Sequence, residues 1–183
     1  MKKIETGFEG LYLLQPSVFE DDRGYFYESW NEQLFNKLDI PNEFKQDNQS
    51  KSVKNVLRGM HFQAAPFGQA KLVRVVTGAV LDVVVDLRVG SPTYGGNFKA
   101  VLSEQNKTLM YIPEGFAHGF LTLEDNTIFS YKCSNFYDKE SEGSLRWDDP
   151  DLGIDWELSE APILSGKDSI APKFKDFKSP FKL

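Results

Sequence analysis

Cysteine and histidine are scarce in this 183-residue sequence, and their scarcity excludes several kinds of site. The single cysteine, Cys133, excludes an intrachain disulfide framework and a zinc site built on cysteine ligands. The two histidines, His61 and His118, lie far apart in the chain and form no His-x-His pair, which makes them a poor ligand set for a metal. A serine-nucleophile elbow, a phosphate-binding glycine loop and a dinucleotide fingerprint are also lacking. We therefore expect no metal site.

Long apolar runs and a basic charge balance are lacking as well. No window approaches the length of a membrane span, and residues 1–4 lead into a charged residue rather than an apolar stretch. We expect no signal peptide, no membrane association and a cytoplasmic location. The net charge of −6 argues against non-specific nucleic-acid binding. It does not exclude a small anionic ligand, because a few clustered cations act strongly at close range.

The sequence does contain many short apolar runs separated by glycine and proline turns, which is typical of antiparallel β-structure. Residues 71–87 predict a hairpin with its turn at Thr77-Gly78, and residues 80–87 alternate in the period of a strand. We predict one all-β domain over residues 1–183, an antiparallel sandwich or jelly roll with a few short peripheral helices. The tail from about residue 173 is expected to be partly irregular.

One short helix is predicted near the N-terminus. Apolar residues recur at helical spacing over residues 30–38, and Pro41 follows them. Ser29 and Glu32 have the spacing of a capping box, in which the serine caps the helix and the glutamate reaches back to it.

Residues 56–63, followed by residues 69–72, place polar side chains in runs that otherwise predict buried strands. These polar residues are Arg58, His61, Gln63, Gln69 and Lys71. A short buried pair of strands holds so many polar groups only if a polar ligand satisfies them. The alternatives are a hydrogen-bonded core histidine at His61 and a lysine at Lys71 whose ammonium reaches water.

This composition favours acid–base chemistry without a metal. Such chemistry needs a base, an acid on the opposite side of the reacting carbon and a cation near developing negative charge. His61, Tyr131 and Lys71 have these capacities, although Tyr131 also fits a half-buried core tyrosine. A regular strand would send Arg58 and His61 to opposite faces, so either Gly59 marks a bulge or Arg58 lies at the mouth of the site.

Seven segments resemble those of the dTDP-4-dehydrorhamnose 3,5-epimerase family, in order, from about residue 4 to residue 172. They are residues 22–26, 46–48, 56–63, 69–75, 86–95, 112–120 and 164–168. The resemblance implies a cupin-like jelly-roll homodimer without metal or organic cofactor. The family converts dTDP-4-dehydro-6-deoxy-D-glucose into dTDP-4-dehydro-L-rhamnose, in dTDP-rhamnose biosynthesis, by inverting C3 and C5 through an enolate.

The resemblance also implies roles for residues that match its motifs. His61 would remove the proton, Asp168 would orient His61, Lys71 would stabilise the enolate oxygen and Tyr131 would return a proton. Arg23, Arg58 and Lys167 would contact the nucleotide diphosphate, and Tyr137 would stack on the substrate. The remaining implied substrate contacts are Glu28, Gln46, Asp47, Asn48, His118 and Glu142.

Two other functions remain open at this point. One is an epimerase that inverts a single carbon of another dTDP-4-keto sugar. The other is a non-catalytic domain that binds a nucleotide sugar. The presence of His61, Lys71, Tyr131 and Asp168 together favours an enzyme.

Overall fold

The computed structural model describes residues 1–41 and 43–183 and is built mainly from antiparallel strands. Its first six strands are β1 (Lys2–Glu5), β2 (Tyr12–Gln15), β3 (Phe19–Asp21), β4 (Gly24–Phe26), β5 (Gln46–Ser52) and β6 (Leu57–Gln63). The next seven are β7 (Lys71–Thr77), β8 (Ala79–Asp86), β9 (Asn97–Ser103), β10 (Leu109–Ile112), β11 (Phe116–Thr122), β12 (Thr127–Cys133) and β13 (Glu142–Ser144). The helical elements are α1 (Glu32–Lys37), α2 (Gly166–Ser169) and a 3-10 turn at Phe174–Asp176.

Two sheets face each other and enclose the central core. One has the order β1-β2-β10-β7-β12-β5 and the other the order β13-β6-β11-β8-β9, while β3 and β4 form a separate two-stranded hairpin. Val73 and Phe129 of the first sheet pack against Val84 and Phe120 of the second. This arrangement confirms the predicted all-β fold of antiparallel strands with short peripheral helices.

The predicted hairpin over residues 71–87 is wrong. β7 and β8 follow one another in the chain but belong to different sheets. Gly78, at φ +79°, turns the chain from one sheet to the other. The alternation along β8 indicated which residues share a face, and it carried no information about the partner strand. Every residue of β8 is buried because its second face is covered as well.

The predicted capping box is also wrong, although the helix exists. α1 begins at Glu32, and its cap is Asn31, whose side-chain oxygen accepts a hydrogen bond of 3.1 Å from the Leu34 amide. Asn31, directly before the helix, is the N-cap in place of Ser29. The helix buries Phe35 completely against the outer face of the first sheet.

The C-terminal segment covers the outer face of the second sheet. Phe177 and Phe181 pack on Phe62 of β6, with ring centres 5.3 and 5.6 Å away. Just before them, α2 contacts the same strand. The tail therefore holds α2 beside His61, the residue directly before Phe62. None of the described helices has the length and apolar character needed to span a bilayer.

Candidate active site

A bulge in β6 brings Arg58 and His61 to the same side of the strand. In the pairing of β6 with β11, His61 lies opposite His118 and Arg58 opposite Phe120, so two residues of β6 face Gly119 alone. Gly59 has φ +139°, and a Cβ atom there would lie 2.5 Å from the Gly119 Cα. Only glycine fits this crossing. The bulge is the first of the two explanations that the sequence left open for the spacing of Arg58 and His61.

The bulge opens onto a cavity of about 450 Å³ between the two sheets. An adjoining cavity of about 350 Å³ shares three wall residues with it, namely His61, Lys71 and Tyr131. Both cavities lie where β5, β6, β7 and β12 approach one another. The first is lined by Ser50, Val56, Leu57, Arg58, His61, Lys71, His118, Phe120, Phe129, Tyr131, Ile163, Leu164, Ser165 and Asp168.

His61 is held by a carboxylate from the C-terminal segment. Its Nε2 atom lies 2.5 Å from Oδ1 of Asp168, whose side chain is 3% exposed. Burial opposes ionisation of Asp168, but hydrogen bonds from His61 and Ser165 and the charge of Lys167 hold its pKa below the ordinary value. An ionised Asp168 accepts the Nε2 proton and leaves Nδ1 of His61 to take a proton from a ligand.

Ser165 fixes Asp168 in place. Its hydroxyl accepts a hydrogen bond of 3.2 Å from the Asp168 amide and donates one of 2.8 Å to Oδ2 of the same residue. Ser165 is thus the N-cap of α2. Sequence reasoning missed this residue, although a serine three positions before an acidic residue is a helix-start signal.

Lys71 enters the cavity from the sheet opposite to His61. It begins β7, where it lies in register with Cys133 of β12. Burial lowers the pKa of Lys71, while the nearby Cys133, Asp82 and Glu142 oppose that change. An ammonium group in a poorly hydrated wall interacts strongly with any negative charge that develops in the cavity.

Tyr131 lies beside Lys71 on the same sheet. The Lys71 Nζ atom is 6.0 Å from the centre of the Tyr131 ring. Burial raises the pKa of Tyr131, with Arg58 opposing the change, so the phenol keeps its proton at neutral pH. A base on one sheet and a protonated phenol on the other therefore face the same space.

His118 forms a second histidine–carboxylate pair deeper in the cavity. Its Nε2 atom lies 3.0 Å from both carboxylate oxygens of Asp82, which is completely buried on β8. Burial raises the pKa of Asp82, and His118 and Lys71 oppose that change. Sequence reasoning missed Asp82; the signal was an acidic residue among valines in an alternating strand.

Four of the predicted substrate contacts line the adjoining cavity, namely Gln46, Asn48, Tyr137 and Glu142. The Tyr137 hydroxyl donates to Glu142 over 3.2 Å, and Lys167 pairs with the same carboxylate at 2.5 Å. Burial opposes ionisation of Glu142, but Lys167 keeps its pKa below the ordinary value. Lys167 thus lies at the edge of this cavity, next to α2.

Besides Lys167 at the edge, three predicted substrate contacts line neither cavity in the described chain. Arg23 is on the β3–β4 hairpin, with its side chain 89% exposed and paired with Asp21 at 2.6 Å. Glu28 accepts a hydrogen bond from the Asn31 side chain before α1. Asp47 pairs with Lys132 at 2.8 Å and lines a different surface depression. Their roles remain predictions.

The described residues contain no group of three or more histidine, cysteine, aspartate or glutamate side chains arranged to hold a metal ion. Each of the two histidines of the cavity is instead paired with a carboxylate, His61 with Asp168 and His118 with Asp82. Together with the cations Lys71 and Arg58, these pairs are suited to moving protons and holding an anion.

Comparison with known proteins identifies the family of this chain. Residues 5–176 match the family model of dTDP-4-dehydrorhamnose 3,5-epimerase. The chain belongs to this family. The dTDP-4-dehydrorhamnose 3,5-epimerase of Salmonella typhimurium is 50% identical over 171 residues, which cover 92% of this chain and 93% of that protein.

Solved structures of dTDP-4-dehydrorhamnose 3,5-epimerases agree with this assignment. The enzyme from Elizabethkingia anophelis superposes with a TM-score of 0.92 at 52% identity, covering 96% of this chain and 97% of that one. The dTDP-6-deoxy-D-glucose-3,5-epimerase of Legionella pneumophila, in complex with dTDP-4-keto-L-rhamnose, gives 0.91 at 44% identity, covering 95% and 93%.

Proposed function

We propose that the protein is a dTDP-4-dehydrorhamnose 3,5-epimerase, which converts dTDP-4-dehydro-6-deoxy-D-glucose into dTDP-4-dehydro-L-rhamnose in dTDP-rhamnose biosynthesis. Membership of the family supports the reaction. The observation that carries the mechanism is the convergence of His61, Lys71 and Tyr131 on one cavity, with Asp168 bound to His61.

The two inverted carbons, C3 and C5, both flank the C4 ketone of the sugar. Removing a proton from either carbon places negative charge on the same ketone oxygen, so one cation serves both steps. His61 takes the proton on Nδ1, and the resulting imidazolium is stabilised by Asp168. Lys71 holds the enolate oxygen, and Tyr131 donates a proton from the opposite sheet, which inverts the carbon.

Only protons move in this reaction, and no electrons are lost or gained overall. The proposed mechanism therefore uses no metal and no organic cofactor. Its largest energetic requirement is stabilisation of the enolate, and removing one preorganised donor in such a site costs about 10²–10³-fold in rate. Lys71 meets this requirement from a poorly hydrated wall.

The adjoining cavity and its border with the first provide a site for the nucleotide end of the substrate. Arg58 from the wall of the first cavity and Lys167 at the edge of the adjoining one supply positive charge for the diphosphate on an otherwise acidic protein. Tyr137, a residue that is 56% exposed, offers a ring face for stacking. Gln46 and Asn48 provide hydrogen-bonding groups along the same wall.

We also propose that the protein acts as a homodimer. Its β3–β4 hairpin exposes Phe19 (66%), Tyr25 (49%) and Phe26 (65%), which is a large apolar surface for one small element. Arg23 and Glu28, both expected to contact substrate, lie on or beside this hairpin and outside their own chain's cavity. If a second copy of the chain covers the hairpin, Arg23 and Glu28 would lie within reach of the cavity of that copy.

Light scattering after size-exclusion chromatography tests the dimer. We expect twice the chain mass for the wild type and a single chain mass for Phe19→Ser/Phe26→Ser. A monomeric wild type with full activity would contradict the proposal.

We further propose a cytoplasmic location, since the single cysteine, Cys133, is a buried free thiol.

The reaction itself is tested by incubating the protein with dTDP-4-dehydro-6-deoxy-D-glucose in deuterated water. Deuterium at both C3 and C5 supports the proposal, deuterium at one carbon indicates a single-carbon epimerase, and no deuterium indicates a binding protein. His61→Ala and Lys71→Ala should keep the far-ultraviolet circular dichroism of the wild type and stop deuterium uptake. Lys178→Ala, at an exposed position of the tail, is the matched control and should exchange at the wild-type rate. Wild-type uptake in either active-site variant would refute the assigned role.

A further inference from the structure

Asp82 is a fully buried carboxylate, and the mechanism above gives it no task. It lies in the middle of β8, and its neighbours on the inner face of that strand, Val80 and Val84, belong to the central apolar core. A carboxylate in such a place carries a large desolvation cost unless cations and hydrogen-bond donors compensate it. What compensates Asp82 therefore indicates what it does.

The first compensating group is His118. Nε2 of His118 lies 3.0 Å from Oδ1 and 3.0 Å from Oδ2 of Asp82, so both carboxylate oxygens contact this ring nitrogen. The His118 ring also stacks on Phe129, with ring centres 6.0 Å apart. These contacts fix the ring plane and commit Nε2 to Asp82. Nδ1 is the ring nitrogen left for the cavity that His118 lines.

The second compensating group is Lys71, which interacts electrostatically with Asp82 from the opposite sheet. Two groups that reach the cavity, one imidazole and one ammonium, thus act on Asp82. Other titratable groups around this set are Cys133 and Tyr131 on β12, Arg58 and His61 on β6, Glu142 on β13 and Lys167 on α2.

The two histidine–carboxylate pairs of the cavity differ in accessibility. His61 and His118 lie opposite each other on β6 and β11. The His61 side chain is 28% exposed and that of His118 only 8%. The more accessible ring is suited to exchanging a proton with a ligand. The buried and doubly held ring is suited to a fixed hydrogen bond with a ligand.

We propose that Asp82 is a positioning residue for the epimerisation, which accepts the Nε2 proton of His118 and so fixes the ring with Nδ1 facing the sugar in the cavity that Lys71 also lines. This inference rests on the proposed epimerase function.

The scarcity of histidine makes a direct test practical, because the chain contains only two imidazole rings. In protein labelled with ¹⁵N-histidine at pH 7 and without substrate, we expect His118 to carry a proton on Nε2 that exchanges slowly with water. His61→Asn assigns the two sets of signals. In Asp82→Asn, exchange of that proton should become faster while the His61 signals stay in place. A His118 ring without a proton on Nε2 in the wild type overturns the proposal, whether or not any variant folds.

Kinetics test whether Asp82 acts through His118. We expect Asp82→Asn to lower kcat about 10- to 100-fold and to change KM less than threefold, since a loosely held His118 ring misplaces a group that must be aligned in the transition state. In a His118→Gln background, Asp82→Asn should have no further effect on kcat. An equal loss in both backgrounds, or no loss in the wild-type background, overturns the proposal.

Asp86→Asn is the matched control. Asp86 is also a fully buried carboxylate of β8, but Arg88 holds it away from the cavity. This variant should leave the His118 signals and kcat unchanged. Failure of the proposed function itself would appear differently, as absence of deuterium uptake by the wild type, while the nitrogen signals would still report on Asp82 and His118.

Discussion

Replacing Asp168 with asparagine removes the negative charge behind His61 and keeps the shape of the side chain. The local hydrogen bonds favour one orientation of the new amide. Its oxygen can accept from His61 Nε2, and its nitrogen can donate to Ser165 Oγ, which now donates to Oδ2 of Asp168. The ring of His61 should therefore keep its orientation and its tautomer, and the change isolates the charge.

The expected loss follows from the geometry of the pair. When His61 takes the substrate proton, the imidazolium and the Asp168 carboxylate attract across a contact of 2.5 Å between Nε2 and Oδ1. Unit charges about 4 Å apart at an effective dielectric constant of about 20 interact by roughly 4 kcal/mol. At about 1.4 kcal/mol per factor of ten, Asp168→Asn should lower the exchange rate about 10³-fold.

The assay is deuterium uptake at C3 and C5 under substrate saturation, followed by proton nuclear magnetic resonance. KM should change little, because Asp168 lies behind His61. Ser165→Ala is the companion variant, which removes one hydrogen bond to Asp168 but keeps its charge, and it should cost about tenfold or less. An Asp168→Asn enzyme within threefold of the wild-type rate would refute the claim that this carboxylate stabilises protonated His61.

Three further predictions concern the cavity wall, the bulge and the core. Lys71→Met should lower kcat about 10²–10³-fold without reducing the free energy of unfolding in urea, since a buried ammonium is replaced by an apolar side chain; a large loss of stability would contradict this. Gly59→Ala should cost about 2–4 kcal/mol in the same unfolding assay, because its φ of +139° strains an alanine and its Cβ would lie 2.5 Å from the Gly119 Cα; unchanged stability would mean that the bulge is softer than described. Burial opposes ionisation of Asp86, but hydrogen bonds from Arg88 and neighbouring groups lower its pKa to about 2, so its ionised form contributes roughly 2 kcal/mol above pH 4. That contribution should disappear as pH falls from 4 to 2, so the stability difference between the wild type and Asp86→Asn should be constant at pH 5–7 and shrink below pH 4.

The fold class was predictable because short alternating runs and glycine turns specify antiparallel strands whatever their partners are. Strand pairing was not, and Gly78 shows why. A two-residue turn between two apolar strands is equally compatible with a hairpin and with a step from one sheet to the other. What decides between them is the apolar surface on the second face of β8, which is covered by segments distant in the sequence.

The candidate site was predictable in its residue types and only partly in its geometry. His61 and Lys71 stood out as polar residues in apolar strands, and the structure places both in one cavity. Asp82 carried the same signal but lay among alternating valines, where the pattern was interpreted only as a strand. Arg23 was identified by its motif, and its position on an exposed hairpin depends on tertiary structure that no local pattern encodes.

The contact between His61 and Asp168 joins residues 107 positions apart, and the later one arrives on a segment anchored by Phe177 and Phe181. The strands that carry His61, Lys71 and Tyr131 can pair before that segment docks. During refolding from urea, recovery of the β-sheet signal should therefore precede recovery of turnover, and the delay measures how long the segment takes to settle on the sheet. We therefore expect catalytic competence to appear late in the assembly of the chain.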